Sequence, residues 1–278
     1  MINVARFTLN RIICPDLGVG NFFKLAADVG IKKVELRNDL PGTGIIDELS
    51  PARVRELADQ CGIEIITINA LQKFNLGCIR SQLIEELQQL IELAKSIRCR
   101  AIVFCPNIDA RDTRNLDQIR KETPENLKSF ASLFENGGMT GLVEPLGFPE
   151  SPLDSLVAAM DIIRETGCSR YKVVHDTFHH HLGPDSPASL RKDYDISYTG
   201  LAHVSGVETE QPKEQYRDGH RVLVGPKDRL KSREQVDLLL EIGYSGDISF
   251  EPFSEEIQSL PVEELERVIK ASVDYLCG

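Results

Sequence analysis

The chain has 278 residues, 41% of them hydrophobic and 27% charged, with a formal net charge of −11. That balance is globular, too apolar for a disordered tail and acidic enough to repel a polyanion, so nucleic acid is excluded as an expected partner. Length permits one α/β barrel or two smaller domains; no run approaches the ~18 apolar residues of a membrane span, and the opening MINVARFTLNRIICPD lacks both an apolar block and a small-residue cleavage site, which points to a cytoplasmic protein with no membrane partner.

Short β-rich runs alternate with segments of helical periodicity along the whole chain. INVARFT, residues 2–8, is the first predicted strand, followed by Phe22, Phe23, Leu25 and Ala26 at helical spacing and by Gly30 as a helix stop. Gly18 and Gly20 in DLGVGNFF match a nucleotide-binding turn too poorly to place a nucleotide there. KKVEL (32–36) precedes a helix opened by Ser50-Pro51 and closed by Gly62, and IEIITIN (63–69) precedes one carrying Leu83, Leu87, Leu90, Ile91 and Ala94. RAIVFC (100–105) and TGLVEP (140–145) follow; Ser151-Pro152 then signals a helix start and Gly167 a stop. YKVVHD (171–176), a further Ser186-Pro187 start, TGLAHVS (199–205), a helix ending at Gly243 and GDISFEP (246–252) complete the series. The seven cysteines (Cys14, Cys61, Cys78, Cys99, Cys105, Cys168 and Cys277) form no C-x-x-C pair, which excludes a disulfide framework and a zinc ribbon. Cys105, at a strand end, is the one thiol placed to act as a nucleophile; otherwise it is a small buried hydrophobe.

Eight strand-plus-helix units with no linker between them predict a single-domain (β/α)8 barrel over residues 1–278. In such barrels the active site forms at the carboxyl ends of the strands, and the polar residues closing apolar runs there are Glu35, Asn69, Glu144, Asp176, His203 and Glu251. The last four come from consecutive runs, the fifth to the eighth, and can converge. Three carboxylates in one pocket repel one another unless a cation offsets them, so these four are the expected ligands of one divalent ion. The mixed oxygen and imidazole set suits Mn²⁺, Zn²⁺, Co²⁺ or Mg²⁺, with a coordination position left for substrate. The alternative is a set of separate polar residues near loops, some of them ion-paired. Strand alternation turns His175 outward as a core histidine, while His179, three residues past Asp176, can reach the mouth. His180 and His181 are expected in solvent or loop packing, or, with His179, as an adventitious metal-binding run. The loop Tyr216–Leu230 is long for its place and a candidate lid, with Arg221 either an anion-stabilising group or a solvated partner of Asp218 or Asp228.

The segments NALQKFN, VEPLGFPES, HDTFHHHLG, AHVSGVE, HRVLVGPKD and SFEPF, in that order, resemble the xylose-isomerase-like TIM barrels, which include sugar isomerases, ketose epimerases and endonuclease IV. The likeness spans nearly the whole chain and is nearest to the inosose isomerase branch. It implies that Glu144, Asp176, His203 and Glu251 hold one divalent metal ion, Mn²⁺ or Zn²⁺ ahead of Mg²⁺ or Co²⁺. It further implies that Glu144 and Glu251 transfer protons and that His179 and Arg221 contact substrate oxygens. Glu150 matches a substrate-contacting glutamate of ketose epimerases; Asn69 and Glu35 complete the expected substrate-binding set. Pro145 and the run His179 to His181 depart from related barrels. The implied activity is isomerisation of a keto-inositol by proton transfer through a metal-stabilised enediolate, with a ketose 3-epimerase or keto-sugar dehydratase as alternatives. An endonuclease IV-like repair enzyme is the distant alternative, opposed by the acidic charge and the scarcity of strand-end histidines. The expected partner is a small polyol or keto-sugar. A homo-oligomer using the apolar stretch FNLGCI (74–79) is also open.

Overall fold

Alternating residues give each strand run two faces, and the computed structural model, which describes residues 2–278, shows what each face meets. The elements are β1 (Phe7–Asn10), α1 (Val19–Asp28), β2 (Lys33–Arg37), β3 (Ile45–Glu48), α2 (Pro51–Cys61), β4 (Glu64–Gln72), α3 (Arg80–Ser96), β5 (Ala101–Cys105) and α4 (Leu116–Gly137). They continue with β6 (Thr140–Val143), α5 (Leu156–Thr166), β7 (Tyr171–Asp176), α6 (Thr177–Leu182), α7 (Pro187–Asp193), β8 (Thr199–Val204), α8 (Ser232–Glu241), β9 (Ile248–Phe250), α9 (Glu255–Gln258) and α10 (Val262–Cys277). Strands β1, β2, β4, β5, β6, β7, β8 and β9 pair in that order and close into a barrel, with every pairing parallel. This is the single-domain (β/α)8 barrel that the alternation of runs predicts; β3 lies outside it. Among the described residues no helix is long and apolar enough to cross a membrane.

Most of the local signals act as expected. Ser50 Oγ accepts from Arg53 N, and Ser186 Oγ accepts from Ser189 N, each with proline in the first turn. Gly62 and Gly167 close α2 and α5 with φ of 65° and 70°, the left-handed conformation that a side chain disfavours. Two signals need correction. Residues 4–6 form a 3₁₀ turn, because the Asn3 side chain accepts from Ala5 N, so the first strand starts at Phe7 and ends at Asn10. Ser151-Pro152 opens no helix: the Ser151 hydroxyl donates to Leu153 O in a tight turn, and α5 begins after Ser155, whose Oγ accepts from Ala158 N. The stretch 74–79 is no exposed apolar edge either, since Phe74 and Asn75 are buried and only Cys78 is exposed.

The outward residues Phe7, Leu9, Val34, Leu36, Ile102, Phe104, Val143, Ala202, Val204, Ile248 and Phe250 pack against the surrounding helices in one large core. A second, smaller cluster holds the inward Ala101, Val103, Leu142, Val174 and Leu201. That inner apolar lining comes from β5 to β8. The opposite wall is polar: Asn10 on β1, Glu35 and Arg37 on β2, Thr67 and Asn69 on β4, and Ser249 on β9 are all buried and hydrogen-bonded to one another or to groups at the mouth. The barrel interior is therefore amphipathic, and its polar half lies under one side of the mouth.

Candidate metal centre

Each of the four expected ligands occupies the inward position at or just past a strand end. Glu144 follows β6 two residues after inward Leu142, Asp176 closes β7 two after Val174, His203 sits on β8 two after Leu201, and Glu251 follows β9 two after Ser249. Asp176 and His203 are direct partners in the β7–β8 register. One ligand atom from each of the four residues lies within 4.8 Å of the others, and all four residues are buried. His203 Nδ1 is 2.8 Å from Glu144 Oε1, 3.3 Å from Glu251 Oε2 and 3.8 Å from Asp176 Oδ2. Asp176 also caps α6: its Oδ1 accepts from Phe178 N and His179 N at 2.7 and 3.1 Å, which fixes the carboxylate with Oδ2 toward the cluster.

Three buried carboxylates at this spacing demand positive charge. Arg221 Nη2 supplies some of it, 2.6 Å from Asp176 Oδ2 and 2.8 Å from Glu251 Oε2, and Arg37 Nη1 lies 2.7 Å from Glu251 Oε1. Both guanidinium carbons lie over the Phe253 ring, at 5.1 Å for Arg37 and 4.7 Å for Arg221, and Arg221 also lies 5.0 Å from the Phe178 ring centre. Burial pushes the Asp176 carboxyl up to about 6 against the pull of Arg221, a sign that its charged form lacks full compensation. For Glu251 burial works the same way, but His203, Arg221 and Arg37 overcome it and hold the carboxyl well below its ordinary range. Burial would lower His203, yet Glu251, Glu35 and Glu144 raise it well above the usual imidazole value. The donor set fits a divalent cation: four atoms from four neighbouring strands, three of them anionic oxygens and one an imidazole nitrogen, with no thiolate in contact. Cys105 Sγ lies 3.6 Å from Glu144 Oε2, and burial pushes its thiol up well above the ordinary value, so it donates to the carboxylate as a neutral group.

The remaining expected residues separate into two groups. His179, on α6, is buried beside the cluster with its Nδ1 accepting from Gly147 N at 3.3 Å, while Phe148 and Phe178 meet its ring edge to face. Burial, aided by Arg221, lowers it to about 4, so it is a neutral imidazole at physiological pH. A Cβ at Gly147 would collide with the His179 carbonyl oxygen, so glycine is what lets the β6–α5 loop approach this closely. Arg221 is fully drawn into the cluster and touches Asp218 at 3.2 Å, whereas Asp228 is spent on the backbone amides of Val207, Leu230 and Ser232. The 216–230 loop carrying Arg221 is stitched down by a two-way Gly206–Val222 bridge and by Phe253 N and Ser254 N donating to Arg221 O. Glu35 and Asn69, in contrast, lie one layer below the mouth, 0% and 1% exposed. Glu150 is on the β6–α5 loop with its side chain 38% exposed and 3.9 Å from Arg217, facing a surface hollow of about 300 Å³ that it shares with Asp109, Asp112 and Leu116. The structure does not bring it to the cluster.

Asn10, Arg37, Thr67 and Ser249 were not singled out from the sequence, although three of them obey its own rule. Arg37 lies two residues past Glu35, Thr67 two before Asn69 and Ser249 two before Glu251, which is the same inward face. Asn10 was lost with the misplaced end of β1. His175 points outward as expected: its Nε2 is 3.2 Å from Gln235 Oε1, which His180 Nδ1 shares at 2.9 Å, so His180 is part of a buried pair and not a solvent residue.

The sequence model of the family described as xylose isomerase-like TIM barrel matches residues 23–277. Inosose isomerase of Bacillus licheniformis is 27% identical over 210 residues, 75% of this chain and 74% of that protein. A solved structure of a xylose isomerase domain containing protein from Salmonella typhimurium LT2 is 39% identical, with a TM-score of 0.93 over 100% of this chain and 99% of that one. The IolI protein, solved with a binding zinc atom, shares the fold with a TM-score of 0.87 at 22% identity over 98% of each chain. The family match runs from α1 to α10, and this chain belongs to the xylose isomerase-like TIM barrels.

Proposed function

We propose that this protein is a divalent-metal-dependent sugar isomerase whose substrate is a keto-inositol, a small polyol bearing a carbonyl beside a hydroxyl-bearing carbon. The observation that carries the reading is the buried cluster of Glu144, Asp176, His203 and Glu251 at the barrel mouth. The inosose isomerase relatives and the zinc in IolI support it. These four residues would hold one ion, Zn²⁺ or Mn²⁺ in preference to Mg²⁺ or Co²⁺. When bound, such an ion supplies positive charge where the carbonyl oxygen gains negative charge, which makes a carbon acid accessible to a carboxylate base near neutral pH.

The protein's own groups do the rest. Glu144 and Glu251 lie 2.8 and 3.3 Å from His203 Nδ1, and in this reading one removes the proton from the carbon beside the carbonyl and the other returns one to the neighbouring carbon. Arg221, held over Phe178 and Phe253, and neutral His179 would orient substrate oxygens, with the guanidinium offsetting charge as the proton leaves. Phe148, packed on His179, and Leu146 give the rim apolar surface that excludes water.

Incubating the metal-loaded protein in D₂O with keto-inositols and with ketohexoses tests the reading. The expected result is deuterium at the α-carbon of a keto-inositol with formation of its isomer, and loss of that exchange in Glu251→Gln and Glu144→Gln. Exchange confined to ketohexoses would move the assignment to a ketose 3-epimerase, and no exchange with any of these compounds would end it.

A further inference from the structure

Beneath the cluster, Glu35 is 0% exposed, and among the described residues no arginine or lysine pairs with it. Its two oxygens receive five side-chain donors: Asn10 Nδ2 at 3.3 Å and Ser249 Oγ on Oε1, Thr67 Oγ1 and Asn69 Nδ2 at 3.2 Å on Oε2, and His203 Nε2 at 3.2 to 3.3 Å from both. A carboxylate has about four lone-pair directions, so this one is saturated by neutral and imidazole N–H and O–H groups from β1, β4, β8 and β9. The arrangement admits one reading of the hydrogens. Asn10 Oδ1 is engaged by Ile12 N and Arg37 Nη1, so its amide must present N–H to Glu35. An ionised carboxylate can only accept, so the two hydroxyls and His203 Nε2 all donate.

From this we infer that Glu35 is a positioning residue that acts through His203: by accepting the Nε2 hydrogen it keeps that hydrogen in place when an ion displaces the one on Nδ1, so that the Nδ1 lone pair is left facing Glu144, Asp176 and Glu251, and it holds the ring against rotation. The inference rests on the reading of His203 as a metal ligand and assigns Glu35 a task different from substrate contact. Its physical basis is general: in a neutral imidazole one nitrogen carries the hydrogen, and a carboxylate on the far side decides which one. Without Glu35 the remaining acidic partners of the ring, Glu144, Asp176 and Glu251, all lie at Nδ1, so the hydrogen of a neutral ring would be drawn to Nδ1 and would block the lone pair an ion needs.

Zinc binding and nitrogen NMR together test it. Wild-type protein labelled with ¹⁵N-histidine and loaded with Zn²⁺ is expected to show His203 protonated at Nε2 and ligating through Nδ1. Glu35→Gln, checked for folding by circular dichroism, is expected to bind Zn²⁺ about 10–100-fold more weakly in competition with a chelator, the usual cost of losing such a partner. Ser249→Ala, which removes a donor to Glu35 but keeps the Glu35–His203 contact, is expected to stay close to wild type. Ligation of wild-type zinc through Nε2, or a folded Glu35→Gln protein with undiminished zinc affinity, would overturn the inference while leaving the proposed function standing. Absence of zinc binding by the wild type would instead overturn the metal reading, and this inference with it. The NMR measurement decides the matter even where Glu35→Gln does not fold.

Discussion

Gln235 fixes the protonation of two histidines that take no part in the site. Its Nε2 donates to Thr177 O at 3.0 Å and to Leu230 O at 2.9 Å, so its Oε1 must be the atom facing His175 Nε2 and His180 Nδ1. Both imidazoles are therefore donors there, and their other nitrogens, His175 Nδ1 and His180 Nε2, are buried without partners. The rings lie 4.8 Å apart, so protonating either one puts an unsolvated charge against the other. Burial, joined by His180, lowers His175 well below the ordinary imidazole value, and burial also lowers His180. The sign of the linkage follows. Above about pH 6.5 both are neutral folded or unfolded and cost nothing, but below it the unfolded chain takes up protons that the folded one refuses, so stability falls as pH falls. His203 and Asp176, raised in the folded state, act in the opposite sense over the same range, so the pair is read by difference: in urea unfolding at pH 7.5 and pH 5.5 His175→Gln should lose less stability on acidification than the wild type, and an unchanged pH dependence in the variant would show that the pair does not contribute to it.

At the scale of elements, what the sequence made legible depended on which face a strand residue occupies. Alternation alone located Glu144, Asp176, His203 and Glu251, because each ends an apolar run on its inward face. The same periodicity would have reached Ser249, Thr67 and Arg37, but a serine or threonine inside a strand reads as ordinary β-surface, and an arginine at a strand end reads as solvated. What buries Arg37 is non-local: Glu251 and Phe253 from the other end of the chain, with Asp39 two residues away as its local partner. Helix starts failed for a related reason. Ser151-Pro152 and Ser155 both carry the capping chemistry, and the choice between them is made by Asp185, which accepts from Ser155 Oγ and Leu156 N and ties the helix start to the segment after α6. The outward face is held by aromatic packing, with Phe104 at ring-centre distances of 5.8 Å from Phe74, 6.0 Å from Phe130, 5.4 Å from Phe134 and 6.1 Å from Tyr171. Phe104→Ala should therefore cost about 3–5 kcal/mol in denaturant unfolding while leaving zinc affinity unchanged at low temperature. A cost under about 1 kcal/mol would mean that the helices pack on β5 less closely than these distances require.

For the molecule as a whole, the barrel turns residues more than 100 positions apart into one charged centre: Glu144 and Glu251 are separated along the chain by the whole of β7, β8 and their helices. The interior holds Glu35, Glu144, Asp176 and Glu251 against Arg37 and Arg221, all buried, so acid outnumbers base there as it does in the chain overall. A divalent ion in the cluster, with His203 neutral, would balance those six charges, in keeping with the proposed uncharged polyol substrate. The direct measurement is an anomalous-diffraction map from crystals of the protein loaded with Zn²⁺. The account predicts one peak per chain, in contact with Glu144, Asp176, His203 through Nδ1, and Glu251. A peak on the His179 to His181 run alone, or none between these four residues at saturating zinc, would contradict it.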